Sequence, residues 1–595
     1  MNVLVFFFLG LILLALGSRF YSRFVARIIG EKKDRPTPAI TQYDGKDYVP
    51  AKIHVLFGHH FSSISGAGPI LGPTMGILYG FLPAWLWIIV GGIFIGAVHD
   101  FTTLFVSLQE KGRSMAQIAR RTLGTPGFTL FILFTIVMIV LVTSSFLTAT
   151  ATALTSKWPL DKLGLAPSQT FLRTETTADG QTLGIIGGIA SMSVIIITLL
   201  SPILGYLLYS RKVRVTFAYL FAATVCILSV WMGIEYPVRL NPQTWMIILS
   251  VYVLFASGAP VWVVLQPRDF INVQIMYLGI AGLFLGLMVG GFGGLRLHLP
   301  NFNLAEGVAN LGPVWPMLFI TIACGAISGF HALVASGTSS KQLDNEKHAR
   351  TVGYNGMLLE SVLAACVLLA VGSAFLFSDY KALVWPEPGM GRSNPILAFS
   401  LAVGKLFNKS FGLPVALGSV FGILMVEGFV VTTLDTAVRL NRYLFEELWG
   451  LIFKTVPRLL RSFLFNSALA VILMWVLAYF NTFAALWPIF GTANQLLAAL
   501  SLIAVSTWLS VRGHKNLITV IPAIFMIVTT TASLIILLFT KYIPQMNVTL
   551  LIADVLLLLL SLGVVYLSLK TVARLMKERK LAGRATGSSA SVSAG

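Results

Sequence analysis

Charge is what this 595-residue chain has least of: Asp, Glu, Lys and Arg together make up 11% of it, against about 25% in an ordinary soluble domain. A soluble fold of this length could not cover its surface with so few ions, which excludes a soluble enzyme. Cysteine is equally scarce. Cys226, Cys324 and Cys366 all fall in apolar stretches and read as buried thiols, not a disulfide framework. No Walker-type Gly-Lys-Ser/Thr run occurs, so direct coupling to ATP is not visible, and there is no His-Glu-x-x-His pair. No loop is long enough for a soluble domain; the largest lie near 20–52, 155–182 and 379–411. No basic and aromatic module stands outside the apolar runs, so nucleic acid is excluded as a partner despite a net charge of +19.

What the chain has in abundance is hydrophobic residues, at 56%. A helix needs about 20 of them to cross a bilayer. Runs of that kind occupy 3–19, 54–79, 81–108, 126–154, 183–209, 213–233, 244–266, 269–293, 314–338, 351–378, 412–438, 458–480, 483–510, 517–540 and 548–570. That predicts an all-α polytopic membrane protein of about fifteen helices. Residues 394–406 read as a further interfacial or re-entrant helix. Alternating the loops through fifteen spans puts 32 Lys and Arg on the side of the 20–52 loop and 10 on the other. The positive-inside rule then places the N-terminus outside and the C-terminus in the cytoplasm, in a cell inner membrane whose anionic lipid the basic loops meet. The first apolar run lacks a preceding basic segment and reads as a permanent span, not a cleaved signal. The tail from Ala582, small and polar, is expected to be disordered.

Three spans carry helix-breaking clusters: GHHFSSISGAGPILGPT at 58–74, ASGAPVW at 256–262 and CGAISGFHALVASGTSS at 324–340. Unwound backbone at membrane depth survives only when buried in protein or lining a wet cavity, and transporters build midplane binding sites from such breaks. The alternative for any one Gly pair is a simple kink or close packing. Spans 2 and 7 share a short echo, Val55-Leu56-Phe57 with Ser65-Gly66 against Val253-Leu254-Phe255 with Ser257-Gly258. Their offset of five permits an inverted repeat. On that reading the chain divides into a peripheral helix and basic loop (1–52), two repeats (53–240 and 241–440), additional peripheral helices (441–570) and a basic tail (571–595).

Several longer strings carry a resemblance: DYVP (47–50), FGHHFSSISGAGP (57–69), GAVHDF (96–101), LQPRDFIN (265–272), GFHALVASGT (329–338), YNGMLLES (354–361), TTLDTAVRLNRY (432–443) and WPIFGTANQLLAAL (487–500). Over about residues 45–510 the chain resembles the carbon starvation protein A (CstA) family. The resemblance implies an inner-membrane transporter of peptides or, for some members, of pyruvate with protons. It also implies a LeuT-like five-plus-five core.

An acid in mid-membrane costs about 2.5–3.5 kcal/mol on insertion scales and asks for a reason. Glu427 is the deepest acid and the first candidate to bind and release a coupling proton. Glu360 and Asp100 are further ion-coupling candidates, Glu360 with a cation or Arg268 as partner and Asp100 as a gate. Asp435 reads as an ordinary i,i+4 partner of Arg439, and Asp554 is assigned no role. His59 and His60 in the first break and His331 in the third are candidates for substrate or proton contact, or for satisfying unwound backbone. Substrate contact is expected from Ser62, Ser65, Gly66, Gly68, Ser257, Gly258, His59 and His331. By resemblance, Ser336 and Thr338, with Ser339, serve a cation site. Arg268 and Asp269 brace an inner gate or anchor the topology. Asn494 and Gln495 read as packing contacts. The expected function is secondary active import of a short peptide or pyruvate-like carboxylate, by proton rather than sodium symport, with no metal or other cofactor. The alternative is a membrane-embedded metal- or redox-dependent enzyme subunit.

Overall fold

A computed structural model describes residues 1–592 apart from 33–34, 45–47, 167, 170–171, 178, 212, 261–262 and 388–391. Asp47 of DYVP and Val261 and Trp262 of the second broken motif therefore lie outside the described residues. In chain order the main helices are α1 (Val3–Ile29), α2 (Ile53–Ile64), α3 (Gly68–Gly76), α4 (Phe81–Gln109), α5 (Met115–Leu154), α6 (Gly187–Leu208), α7 (Val215–Glu235), α8 (Pro242–Ala256), α9 (Leu265–Phe292), α10 (Val314–Thr321), α11 (Phe330–Gly337), α12 (Arg350–Ala374), α13 (Pro395–Phe411), α14 (Val415–Ile452), α15 (Phe463–Phe480), α16 (Phe483–Val511), α17 (Leu517–Tyr542) and α18 (Val548–Val592). Among the described residues the only sheet is a three-stranded antiparallel patch in the 155–186 loop, with Thr182–Ile185 paired to Lys157–Pro159 on one edge and Thr174–Thr176 on the other.

Among the described residues twelve helices are long and apolar enough to cross a membrane, against fifteen expected. The three that drop out are the Gly/Pro/Ser-rich segments. The first is divided into α2 and α3, the second stops at Ala256, and the third is divided into α10 and α11. Each break shortens its helix below the length of a span. Gly124, at φ 80° and two residues before Pro126, kinks α5 just before the fourth apolar run (126–154) begins. Side chains on the outer helices, such as Ile227, Leu278, Ile521 and Leu559, are apolar and exposed, as a lipid-facing surface requires.

The helix at 394–406, expected to be interfacial or re-entrant, is α13; it is buried along most of its length among α9, α12 and α14, which fits insertion into the protein and not a place on its surface. More importantly, α16 was expected at the periphery, yet it is the most buried of the twelve spans. It packs against α4, α5, α10, α17 and α18. An all-round apolar helix suits lipid and protein interior equally well, so composition does not separate the two. Residues 582–592, expected to be disordered, continue α18 to Val592.

The helix ends on the basic-loop side are tied together by buried acids. Glu346, 2% exposed, accepts from the Lys32 amide at 2.8 Å and Gln109 Nε2 at 2.8 Å, and pairs with Arg35 at 3.2 Å. Glu110 does the same for α16: Trp508 Nε1 donates at 2.8 Å, Arg512 at 3.0 Å and Arg121 at 2.7 Å. Beside Glu346, burial pushes the Glu31 carboxyl up from 4.5 to about 7; Arg350 and Lys347 oppose this and Glu346 adds to it. The folded chain thus holds a proton that the unfolded chain has released. The stability from this group is complete below pH 4.5 and is lost as pH rises through about 7. We expect the detergent-solubilised protein to melt at progressively lower temperature between these limits, and Glu31→Gln to flatten that slope. Parallel slopes for the two proteins would refute the assignment.

Candidate functional site

The first and third breaks lie side by side. A Cβ on Gly68 would stand 2.3 Å from Cys324 Sγ, and one on Gly72 would stand 3.1 Å from the Thr321 carbonyl. Gly68 makes room for the Cys324 side chain, and Gly72 lets the backbone of α3 approach that of Thr321 and Ile322. The second break is elsewhere: Ser257 Oγ donates to Ser467 Oγ at 2.9 Å, and Gly258 is closed over by Phe463 of α15. Ser257 and Gly258 pack on α15, and the structure does not bring them to the other candidate substrate residues.

The two adjacent breaks differ in how their polar groups are met. Around 322–329, α16 supplies the partners. Asn494 Oδ1 accepts from the Phe330 amide at 3.0 Å and from Ser328 Oγ at 3.3 Å, and the Asn494 carbonyl accepts from the Gly329 amide at 3.0 Å. Gln495 Nε2 donates to the Phe319 carbonyl at 2.7 Å and Trp487 Nε1 to Thr321 at 3.1 Å. From α4, Trp87 Nε1 donates to Ile322 at 2.9 Å. Asn494 and Gln495, read from sequence as packing contacts, are thus the residues that satisfy this unwound backbone. Their signal was an amide pair inside an otherwise apolar helix. The first break, at 65–67, lacks such support: Ser65 Oγ is fully buried and makes no hydrogen bond. Gly66 faces Thr433 of α14. Ser62 Oγ is turned back onto the His59 carbonyl at 3.0 Å.

Beside the breaks a chain of titratable side chains runs through three helices. His99 Nδ1 lies 2.7 Å from Asp100 Oδ1, and Asp100 Oδ2 lies 2.7 Å from His331 Nδ1. His331 Nε2 then stands 3.1 Å from Glu360 Oε2, off the line of a hydrogen bond. All four are completely buried. Both ring nitrogens of His331 face carboxyl oxygens. A neutral imidazole has one N–H, so either the ring is imidazolium or one acid carries the proton. His331 thus sits between two acids that compete for one proton. Glu360 pairs with His331, not with Arg268. The site's helices are locally distorted: α4 has a π turn at Gly92–Gly96, one turn before Asp100, and α12 starts with one at Arg350–Tyr354. Of the adjacent histidines, His60 points inward, with Nδ1 2.7 Å from Ser339 Oγ, whereas His59 is exposed. Successive helical side chains diverge by about 100°.

Ser336 is occupied. Its Oγ donates to the Ala332 carbonyl at 2.6 Å and accepts from the Met115 amide at 3.1 Å, which ties α11 to the start of α5. Thr338, half-buried, ends α11. Ser336 serves the packing of α5 here, not an open cation site.

Arg268, 1% exposed, is no surface anchor. It pairs with Asp435 at 2.7 Å, donates to Thr432 Oγ1 at 3.2 Å and to Tyr252 Oη, and lies 3.6 Å from Asp269. Thr432 Oγ1 in turn donates to Asp269 at 2.9 Å. The expected Asp435–Arg439 pair does not form. Arg439 instead donates to the Ala256 and Ala259 carbonyls at 2.8 and 2.6 Å, capping the end of α8. The stronger demand wins: those carbonyls have no helical partner, and Arg268 brings its charge to Asp435 from across the fold. Glu427, 1% exposed, lines a small cavity with Thr198, Arg268 and Asn272, and none of His99, Asp100, His331 or Glu360 is among the residues lining it.

Comparison with known proteins places this arrangement. The chain is 32% identical to a peptide transporter CstA of Bacillus subtilis, covering 85% of each chain. It is 30% identical to the pyruvate/proton symporter BtsT of Escherichia coli, over 89% of this chain and 80% of that one. Among solved structures, a manganese transporter of Eremococcus coleocola superposes with a TM-score of 0.47 at 11% identity, over 90% of this chain and 99% of that one, too loosely to carry an argument. The family described as Carbon starvation protein CstA matches residues 2–384 and 373–533. This chain therefore belongs to the carbon starvation protein CstA family, and it is a transporter and not an enzyme.

Proposed function

We propose that the protein imports a small carboxylate or short peptide together with protons, by alternating access around the paired breaks. The observation that carries this is His331 held between Asp100 and Glu360. A buried imidazole between two buried acids has protonation states close enough in energy to exchange a proton during a cycle. The open break at 65–67 supports an anionic substrate. The N-terminus of α3 follows this break directly, the buried Ser65 hydroxyl in it has no partner among the described residues, and a helix N-terminus favours a carboxylate. The relatives' names fit a pyruvate-like acid and a peptide C-terminus alike.

The three broken segments also cross, in this reading, giving fifteen crossings of an inner membrane with the N-terminus outside and the C-terminus in the cytoplasm. A LeuT-like inverted repeat is best drawn between 53–76 and 314–337, not between 53–76 and 242–264. Each of the former is a helix, a break and a helix, and the two pack together. Each is followed by a full span and later by a helix of about 40 residues: α5 has 40 and α14 has 38. Six segments lie between them, an odd offset of seven, so their orientations are opposite.

The test is uptake into proteoliposomes of labelled pyruvate and of a labelled dipeptide, under an imposed proton or sodium gradient. Uphill accumulation of one of them, driven by protons and collapsed by a protonophore, is the expected result. Uptake indifferent to every gradient, or none of either solute by folded protein, would overturn it.

A further inference from the structure

We propose that Glu427 is a proton-binding site of its own, separate from the His331 cluster, and that Arg268 is the counter-charge that moves to it when the proton leaves. This rests on the proton-coupled reading above for its place in transport, though not for its chemistry.

Among the described residues neither carboxyl oxygen of Glu427 meets a hydrogen-bond donor, although the residue is buried in the first half of α14. An ionised carboxylate without donors or a cation is very costly in such surroundings; the protonated acid is the form this pocket accepts. The cavity it faces lies between α6, α9 and α14. Its walls are largely aliphatic, with Thr198 and Asn272 as the uncharged polar groups. The space admits about one water-sized guest, which excludes a peptide or a keto acid and suits a proton delivered through water.

Arg268 is the one cation among the residues lining that cavity. Its Nε is buried and makes no hydrogen bond, so the guanidinium has unused donor capacity. It is now held by Asp435, Tyr252, Thr432 and Asp269. Glu427, Val431 and Asp435 recur every four residues and share one face of α14. Arg268 therefore stands beside a helix face that carries an acid at each end, about 12 Å apart along the axis. Gly428 keeps the intervening surface low: a Cβ there would already touch Asn272 at 3.4 Å.

The sequence of events follows from these contacts. Glu427 gives its proton to water in the cavity and becomes an anion. Arg268 turns toward it and leaves Asp435, which keeps the Tyr252 hydroxyl at 3.1 Å. Asp435 then draws Arg439, one helical turn away. Arg439 is the residue that caps the Ala256 and Ala259 carbonyls, so the end of α8 is released. Loss of a proton in mid-membrane thereby loosens a broken helix near the basic-loop side. The charged or titratable groups involved are Asp435, Arg439, Arg442 and Tyr443 on α14, Tyr443 being a further hydrogen-bond partner of Arg439, with Arg268 and Asp269 on α9 and Tyr252 on α8; the polar group that α6 gives to the cavity is the uncharged Thr198.

Two measurements on the full-length purified protein test this. The first is the infrared difference spectrum on pH titration. The wild type is expected to show a carboxylic-acid C=O band that disappears on raising the pH and is absent in Glu427→Gln. In the double variant Arg268→Gln, Asp435→Asn, which removes the cation without stranding its partner, the band is expected to persist to higher pH. An identical spectrum in Glu427→Gln overturns the proton site, and an unmoved band in the double variant overturns the role of Arg268. The second is transport in proteoliposomes. Glu427→Gln is expected to lose gradient-driven accumulation at least tenfold while exchange of substrate at equal pH stays within twofold of wild type. Equal loss of both by a variant that melts normally would make Glu427 a packing residue and overturn the proposal. If the wild type itself fails to accumulate substrate, the symport reading falls, and the infrared titration alone still decides Glu427.

Discussion

His331→Ala is expected to reduce proton-driven uptake to the level of empty liposomes and to destabilise the protein by about 3–5 kcal/mol, the usual cost of removing one partner from a buried charged group. The variant leaves Asp100 and Glu360 facing each other's field with no imidazole between them. Those two effects separate in a second variant. His331→Ala with Asp100→Asn and Glu360→Gln removes both stranded acids and is expected to regain most of the lost stability, read as melting temperature in detergent. It should still not accumulate substrate. Recovery of uptake along with stability would show that the cluster is a structural brace and that the coupling proton is carried elsewhere. The fully buried position of all three side chains, with His331 Nδ1 2.7 Å from Asp100, is what makes the expected effect large.

The second large effect is expected at Asn494. Its side chain accepts from the Phe330 amide and from Ser328, and its amide faces Cys324 Sγ at 3.4 Å. Asn494→Leu keeps the volume and removes every one of these contacts. A buried backbone donor left without a partner costs about 1–3 kcal/mol, and here the Ser328 hydroxyl is stranded as well. We expect a clear drop in melting temperature and at least a tenfold loss of uptake. Asn481→Leu, which removes an amide of similar burial far from the breaks, should cost stability with much less loss of transport. Equal transport by Asn494→Leu and wild type would show that the break around 322–329 holds its shape without α16.

These two sites were not equally legible. Asp100, Glu360 and His331 stand out in sequence because ionisable residues in apolar runs are rare enough to need a reason, and the Gly/Pro/Ser clusters mark the breaks for the same kind of reason. The fifteen apolar segments were legible from length alone; twelve of them are the helices long enough to span, and the other three are the broken ones. Partnership was much less visible. Asp435 and Arg439 are neighbours by helical arithmetic, whereas the Arg268 that claims Asp435 lies 167 positions earlier, and a contact at that distance leaves no local trace. Ser257 and Gly258 echo Ser65 and Gly66 in spelling, yet they meet α15, because likeness of motif says nothing about which face of a segment the fold covers. The central place of α16 was hidden too, since lipid and a protein core ask for the same residues.

That central helix has a consequence for how the chain is made. Phe483 begins α16, so the residues that satisfy the break at 322–329 leave the ribosome some 150 positions after the break itself. Until then the Gly329 and Phe330 amides and the Ser328 hydroxyl lack the partner they have in the finished fold, since α4 reaches this region only through Trp87, at Phe319 and Ile322. The heart of the transporter is therefore closed last. Nascent chains that stop before α16 should be held by insertion factors or cleared by membrane proteases, and the nine span-length helices that precede it cannot settle into a native core without it.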